Sequence, residues 1–426
     1  MEPQPDSRAH RHQAPKHKLR NLIFIGIAII VFVIGCFAWL TIHNTKGVID
    51  KSYAGAGLTK SRDVSEVIKS GRPISVLLYG TDTGELGRTY RGRTDSMMLL
   101  LINPKTEQTT LISLPRDAMV SIDGYENTFP QKLNAAYAFG STATSIKTVE
   151  SFLNIPIDFY ALVNMGGLAT MVDQVGGVSV KSPLDFTYSQ ETAHNYGPNL
   201  YRFHKGSNKY EHSDDNGVTW SDSKTVMNGD AALAFSRMRY GDPTGDYGRQ
   251  QRQRLVLEGL IKKSANVSSL LNDKFMTTIS KNVRTDLTFG DMTTMASKYI
   301  KAKNHITTEH MQGVTTNYPD AAGNDVSYEV IPQKEKQRVT DLARKALSLK
   351  AAKTGRPYGG KIPSSLANIA ASLRPAGDNS NDETDTTTAQ KKHHAKWHGA
   401  FLSCFIQSNQ CPSHGGHLSS SLPPPH

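Results

Sequence analysis

Four short stretches of this chain gather arginines and aspartates in a pattern that suits a phosphate-rich ligand. They are Gly80-Thr81-Asp82, Gly92-Arg93-Thr94-Asp95, Pro115-Arg116-Asp117 and Ser236-Arg237-Met238-Arg239. The last runs on to Gly245-Asp246-Tyr247-Gly248-Arg249-Gln250-Gln251-Arg252-Gln253. Arginine's planar fork matches phosphate oxygens two at a time, and carboxylates with waters are a usual protein share of a Mg²⁺ site. Asp82 follows one apolar run and Asp95 precedes the next, so neighbouring strands would present both carboxylates at one sheet end to Mg²⁺ (or Mn²⁺). A lone Asp there reads as a turn cap; the pair, set among arginines, reads as a metal site. Arg93 and Arg116 flank the same end. Arg237 and Arg239 are two apart, so in an extended segment they project from one face and match a diphosphate. Arg249 and Gln253 are four apart at a helix start, where backbone N–H groups also favour an anion. Arg252 and Arg254 fall off that stripe and read as solvated.

The elements that must position these groups alternate between strand and helix periods. Ile74 to Tyr79 is a nearly continuous apolar run, as expected of a buried strand. Met97–Ile102 and Thr109–Leu114 are two more, joined by an Asn103-Pro104-Lys105 turn. A helical pattern covers 132–153, ending before Pro156. The strand Asp158–Val163, the helix Gly167–Val175 and, after Gly176-Gly177, the strand Val178–Lys181 follow. Residues 185–219 are rich in Asn, His, Tyr, Gly and Ser and read as a long surface excursion, of the kind that often serves as a lid or binding loop. Helices are predicted at Gly229–Phe235, from near Gly248 onward, and near 268–281, 290–302 and 333–348, with strands near 306–312 and 327–331. This order predicts an α/β fold: a three-layer α/β/α sandwich with a central mixed sheet. Charged groups at strand ends are where such sheets collect ligands.

With 426 residues and 38% apolar content, the chain is long enough for one large domain plus appendages. Its net charge of +11 points to an anionic partner, which localisation must identify. Leu22–Leu40 is unbroken and apolar; at 1.5 Å per residue it spans roughly 28 Å, close to the hydrocarbon thickness of a bilayer. Arg8, Arg11, Lys16, Lys18 and Arg20 precede it and hold that end in the cytoplasm. The expected organisation is therefore a cytoplasmic basic tail over 1–21, a transmembrane helix over 22–40 and an extracellular stalk over 41–72. A catalytic domain over 73–349 and a mostly disordered polar tail over 350–426 complete it. Val33-Ile34-Gly35-Cys36 also has the look of a lipidation signal, and either route places the domain at the outer face of the cell membrane.

Several chemistries are excluded. No cysteine lies between Cys36 and Cys404, which removes a disulfide scaffold and a cysteine nucleophile from the folded region. Gly80, Gly84 and Gly87 form neither a dinucleotide fingerprint nor a P-loop, and no Gly-x-Ser-x-Gly elbow occurs. The histidines and cysteines of the tail fit no zinc spacing, and composition bias explains them. Nucleic acid is excluded because the basic groups lie outside the membrane.

These motifs resemble the LytR–CpsA–Psr family of cell-wall assembly proteins. The likeness runs over about residues 74–265, through LLYGTD, GRTDSMMLLLINPKT, LISLPRD, KLNAAYAFG, SRMR and GDYGRQQRQ. The first motif carries Tyr79 where the family often has Ile or Leu. The resemblance implies a phosphotransferase that moves an anionic glycopolymer, such as teichoic acid or capsular polysaccharide, from a polyprenyl-diphosphate carrier onto peptidoglycan and releases polyprenyl phosphate. It implies Asp82 and Asp95 as Mg²⁺ ligands. It implies Arg93, Arg116, Arg237, Arg239, Arg249 and Gln253 as the diphosphate site. It also implies Asp246 as the base that takes the proton of the attacking sugar hydroxyl, with Arg116 and Arg237 beside it in catalysis. Two other classes stay open: a polyprenyl-diphosphate hydrolase, distinguished by free sugar phosphate as product, and a non-catalytic carrier-binding regulator of envelope synthesis.

Overall fold

The computed structural model describes residues 53–81, 92–263 and 282–355. The first apolar run folds as β1 (Ile74–Thr81) and lies near the middle of a six-stranded sheet. β2 (Ser96–Asn103) and β3 (Gln108–Leu114) follow it as an antiparallel meander, with Leu77 opposite Leu99 and Leu99 opposite Ile112. Two small strands, β4 (Met119–Val120) and β5 (Gln131–Lys132), pair beyond β3. Helix α2 (Ala135–Leu153) then crosses to β6 (Phe159–Asn164), which is parallel to β1. The sheet is completed by β10 (Val283–Thr285), antiparallel to β6, and β11 (His305–His310), parallel to β3. Its order is β10-β6-β1-β2-β3-β11 and its pairing is mixed, as the alternating pattern predicts.

Strand alternation explains how both faces are covered. Leu77, Tyr79, Leu99, Leu101, Ile112 and Leu114 share one face. There they pack with Ile146, Val149 and Phe152 of α2 and with Val339 and Ala343 of α7 (Gln333–Ala346). Ile74, Val76 and Phe159 point the other way. They meet Val67 and Ile68 of α1 (Val64–Lys69) and Met295 of α6 (Phe289–Lys298). β12 (Val314–Pro319) and β13 (Asp325–Val330) form a separate hairpin.

Residues 185–219 are not a bare surface excursion. They hold a three-stranded antiparallel sheet of β7 (Phe186–Ser189), β8 (Leu200–Phe203) and β9 (Tyr210–Ser213). Tyr188, Tyr201, Phe203 and Tyr210 are buried with Phe235 in a second core. That core also includes residues of α3 (Met165–Gln174), α4 (Gly229–Arg237) and α5 (Asp246–Lys263). The strands are four residues each, too short for their alternation to stand out among Asn, Gly and Ser. The strand expected over Val178–Lys181 is reduced to one bridge, Val178 to Met227. β10 and β12 were not legible. The helical pattern over 132–153 starts at Ala135 and is broken at Gly140-Ser141, where φ turns positive at Ser141.

The described part of the expected stalk, 53–72, packs on the sheet. Arg62 Nε donates to Asp158 Oδ1 at 2.6 Å, and Asp158, fully buried, also accepts from Ser75 N at 2.8 Å. Tyr160 donates its hydroxyl to Ala54 O at 2.7 Å, and Lys60 pairs with Asp286. Residues 350–355 fold back on α7, with the Gln337 amide on Ala352 O at 2.9 Å. The apolar run 22–40, the helix expected near 268–281 and the tail beyond 355 lie outside the described residues. Among those described, no helix is long and apolar enough to cross a membrane.

Candidate functional site

Five of the groups singled out in the sequence, Asp95, Arg116, Arg239, Asp246 and Arg249, converge where β1 and β3 end and β2 begins. Asp95 precedes β2, and its backbone N–H donates to Gly80 O at the end of β1 at 2.8 Å. Arg116 lies two residues past β3, after Pro115 stops the strand. Its carbonyl accepts from Asn134 N at 3.0 Å, which fixes the loop that carries it. The start of α5 faces this sheet end. Gly245 adopts φ 59° just ahead of the helix, and Asp246 opens the first turn, where a carboxylate complements the helix dipole.

Asp246 is the hub. Arg249 Nη2 contacts its Oδ1 in a close ion pair that lacks the alignment of a hydrogen bond. Arg116 Nε lies 3.8 Å from Oδ2 and Arg239 Nε 3.9 Å from Oδ1. The Gln250 amide donates to Oδ2 at 2.9 Å and sets the carboxyl plane. Arg116 Nη1 also donates to Asp95 Oδ1 at 3.0 Å, and its Nε lies 3.6 Å from Asp117. Arg249 Nη2 reaches Asp95 O at 3.3 Å. Asp95, Arg116, Arg239, Asp246 and Arg249 thus form one network built from the β1–β2 and β3 ends, the bend after α4 and the start of α5.

Not every polar atom in this network is satisfied. Gln253 is buried, yet neither of its amide atoms has a hydrogen-bond partner among the described residues, and Arg249 Nε has none either. Buried polar groups in folded proteins are nearly always paired, so these atoms are free to take ordered water or a ligand group. Burial lowers the pKa of the Arg249 guanidinium, offset in part by Asp246. A cation desolvated in this way gains from an anion that reaches it.

The remaining expected residues are placed as follows. Arg237 is the last residue of α4 and half-buried; the chain turns extended at Met238, so Arg237 and Arg239 belong to a helix end and a bend rather than to one extended segment. Arg93 is exposed, and its charge is felt by the Tyr328 hydroxyl. Asp82 lies outside the described residues. Among the described residues, no group of three or more His, Cys, Asp or Glu side chains is arranged around a metal position.

Two arginines read as solvated are buried instead. Arg252 is fully buried. Its Nε donates to Phe235 O at 2.9 Å, its Nη2 caps Met238 O and its Nη1 pairs with Asp242. It therefore fastens the bend that carries Arg237 and Arg239 to α5. The reading failed because α5 is enclosed on more than one side, so position off a single stripe does not imply solvent. Gly248 belongs to the same clamp: a Cβ there would lie 1.8 Å from Asp242 Oδ2. Arg254 donates to Ser113 Oγ at 2.7 Å, and burial lowers its pKa to about 10. The sequence also gave no signal for Glu329 of β13. It accepts from the Tyr247 hydroxyl at 3.1 Å, and burial together with the nearby Asp117 and Asp246 raises its pKa.

The mixed α/β fold gathers arginines and carboxylates at one end of its central sheet. The chain belongs to the LytR_cpsA_psr family, whose model matches residues 37–345. It is 37% identical over 331 residues to the polyisoprenyl-teichoic acid–peptidoglycan teichoic acid transferase TagU of Enterococcus faecalis, covering 77% of this chain and 97% of that protein. A crystal structure of a Streptococcus agalactiae protein aligns with a TM-score of 0.58 at 29% identity, over 73% of this chain and 98% of the other. TagV of B. subtilis aligns with a TM-score of 0.52 at 27% identity, over 66% and 99%.

Proposed function

We propose that the protein is a phosphotransferase of the cell envelope. It moves a teichoic-acid-type glycopolymer from a polyprenyl-diphosphate carrier onto peptidoglycan and releases polyprenyl phosphate. The observation that carries this reading is the hub at Asp246: guanidinium groups from three segments meet one carboxylate beside unsatisfied buried donors. The E. faecalis relative bears a name for this same activity and matches nearly its whole length.

The residues divide the work. Arg116, Arg239 and Arg249, with Arg237 beside them, hold the diphosphate and neutralise the charge that develops on its oxygens. Preorganised donors of this kind supply most of the catalysis in phosphoryl transfer. Gln253 offers its amide to the same oxygens. The acceptor hydroxyl attacks the phosphorus that bears the sugar, and the bond to the lipid phosphate breaks. Asp246, oriented by Gln250, takes the hydroxyl proton. Asp95 supplies a hard carboxylate oxygen next to Arg116, a donor chemistry that suits Mg²⁺ shared with phosphate, and Asp82 is the proposed second ligand. When bound, that ion would screen the charge of the leaving phosphate.

The finer architecture belongs to the same proposal. The two covered faces of the sheet support a three-layer α/β/α arrangement. The Leu22–Leu40 run supports a membrane anchor with its N-terminus cytoplasmic and the site outside, near the lipid carrier. The test is polymer transfer to peptidoglycan by the full chain and by its Arg239→Ala and Arg249→Ala variants, with products identified. Wild-type transfer that either variant abolishes supports the reading. Undiminished transfer overturns it, and free sugar phosphate without peptidoglycan linkage would assign the hydrolase class instead.

A further inference from the structure

Exposed aromatic rings next to Arg239 form a ledge that the diphosphate reading does not use. Tyr240 is 75% exposed and Tyr196 56% exposed. Singly scattered surface aromatics are ordinary, but these are stacked in series. The Arg239 guanidinium lies 5.8 Å from the Tyr240 ring centre. Tyr240 and His194 stack with centroids 6.0 Å apart and planes 27° apart. His194 and Tyr196 stack at 5.3 Å with planes 6° apart. The series begins at Arg239 and passes through Tyr240 and His194 to Tyr196.

The ledge borders a cavity of about 240 Å³ lined by Thr187, Tyr188, His194, Asn195 and Tyr240, a mixture of ring surface and side-chain donors and acceptors. The loop that presents His194 and Tyr196 is tied in place. Ser189 N donates to His194 O at 2.8 Å, Thr192 Oγ1 to Tyr196 O at 2.5 Å, and Gly197 N to Asn216 Oδ1 at 2.6 Å. Apolar rings held out in water by a fixed loop lose little conformational freedom when something covers them. The C–H face of a pyranose ring packs on the face of an aromatic ring, while its hydroxyls need polar partners at the edge. Both are present here.

We propose that Tyr240, His194 and Tyr196 form a sugar-binding subsite for the first pyranose rings of the carrier-linked polymer. Those rings are covalently attached to the diphosphate, so they must leave Arg239 in some direction, and the ledge supplies one. This inference rests on the diphosphate reading of the Arg239–Asp246–Arg249 site.

The experiment compares two ligands on the full chain: farnesyl diphosphate, and farnesyl diphosphate carrying an N-acetylhexosamine disaccharide. The sugar-bearing ligand is expected to bind on the order of tenfold more tightly, the scale of one or two ring contacts. Tyr196→Ala, at the end of the series opposite Arg239, should erase that gain and leave binding of the bare diphosphate unchanged. Tyr240→Ala should erase it as well, and Tyr240→Phe should restore it. A gain that persists in Tyr196→Ala and Tyr240→Ala overturns the subsite. So does a wild type that binds both ligands equally, or variants that weaken free peptidoglycan fragments alone, which would make the ledge an acceptor surface. Failure of wild type to bind even the bare diphosphate would instead strike the underlying reading of the arginine site.

Discussion

Helix α5 carries enclosed polar side chains on two sides, and the sides differ in how fully they are hydrogen-bonded. On the side facing α4 and the bend after it, Arg252 is fully enclosed and each of its guanidinium nitrogens has a partner. Nearer the sheet end, half-buried Arg249 and buried Gln253 hold atoms with no partner among the described residues. Burial alone does not set the two sides apart; Arg252 has every guanidinium nitrogen bonded, whereas Arg249 keeps an Nε without a partner among the described residues, as Arg254 also does. A satisfied buried charge gains nothing from a ligand, whereas an unsatisfied one is destabilising until a ligand arrives.

The contrast can be broken most severely at Arg252. Arg252→Ala leaves Asp242 buried without its cation and two carbonyls uncapped, so about 3–5 kcal/mol of stability should be lost. Chemical denaturation measures it, and a near-native midpoint would refute the structural assignment. On the other side, Arg239→Ala and Arg249→Ala should lower polymer transfer by roughly 10²–10³-fold, the scale of a lost oxyanion donor. Tm should stay near wild type, and a collapse in Tm would place these arginines with Arg252.

Gln253 gives a sharper division at smaller cost. Gln253→Met removes an amide that is buried without partners, so stability should hold or rise by about 1 kcal/mol while diphosphate affinity falls. Loss of both together would mean that the amide is structural. The smallest effect is expected far from the site, at Lys336 of α7. It is fully buried, and burial lowers its pKa to about 7. A cation with a depressed folded pKa is disfavoured in the native state, so stability should increase as pH rises from about 7 towards its unfolded value near 10.4. Lys336→Met should flatten that rise in Tm and leave transfer intact; an unchanged pH profile would show that Lys336 does not set it.

The legible parts were those fixed by local chemistry. Continuous apolar runs announced β1, β2 and β3, and the charges at their ends announced Asp95 and Arg116. Arg249 and Gln253 were visible from helical spacing alone. What failed depends on long-range contacts. The buried state of Arg252 requires α4 and its bend to close over α5, and spacing within one helix does not show that. The β7–β9 sheet was hidden because its buried tyrosines and phenylalanines sit between polar turn residues. Glu329 enters the site from β13, far along the chain from Tyr247, with no local motif to mark it. Arg237 and Arg239 were placed on one extended face because the sequence around Ser236 does not reveal that α4 runs through Arg237.

The clasp between Arg62 and Asp158 has a mechanical meaning. Asp158 anchors the start of β6 and holds Ser75 at the start of the parallel neighbour β1. Residues 53–62 thus meet the sheet twice, Ala54 at Thr285 of β10 and Arg62 at Asp158 ahead of β6, while Asp95 of the Asp246 network pairs with the far end of β1. A pull on residues 53–62 would be divided between these two ties, and at Asp158 it would be shared by two strands lying side by side. The far ends of those strands would feel little of it.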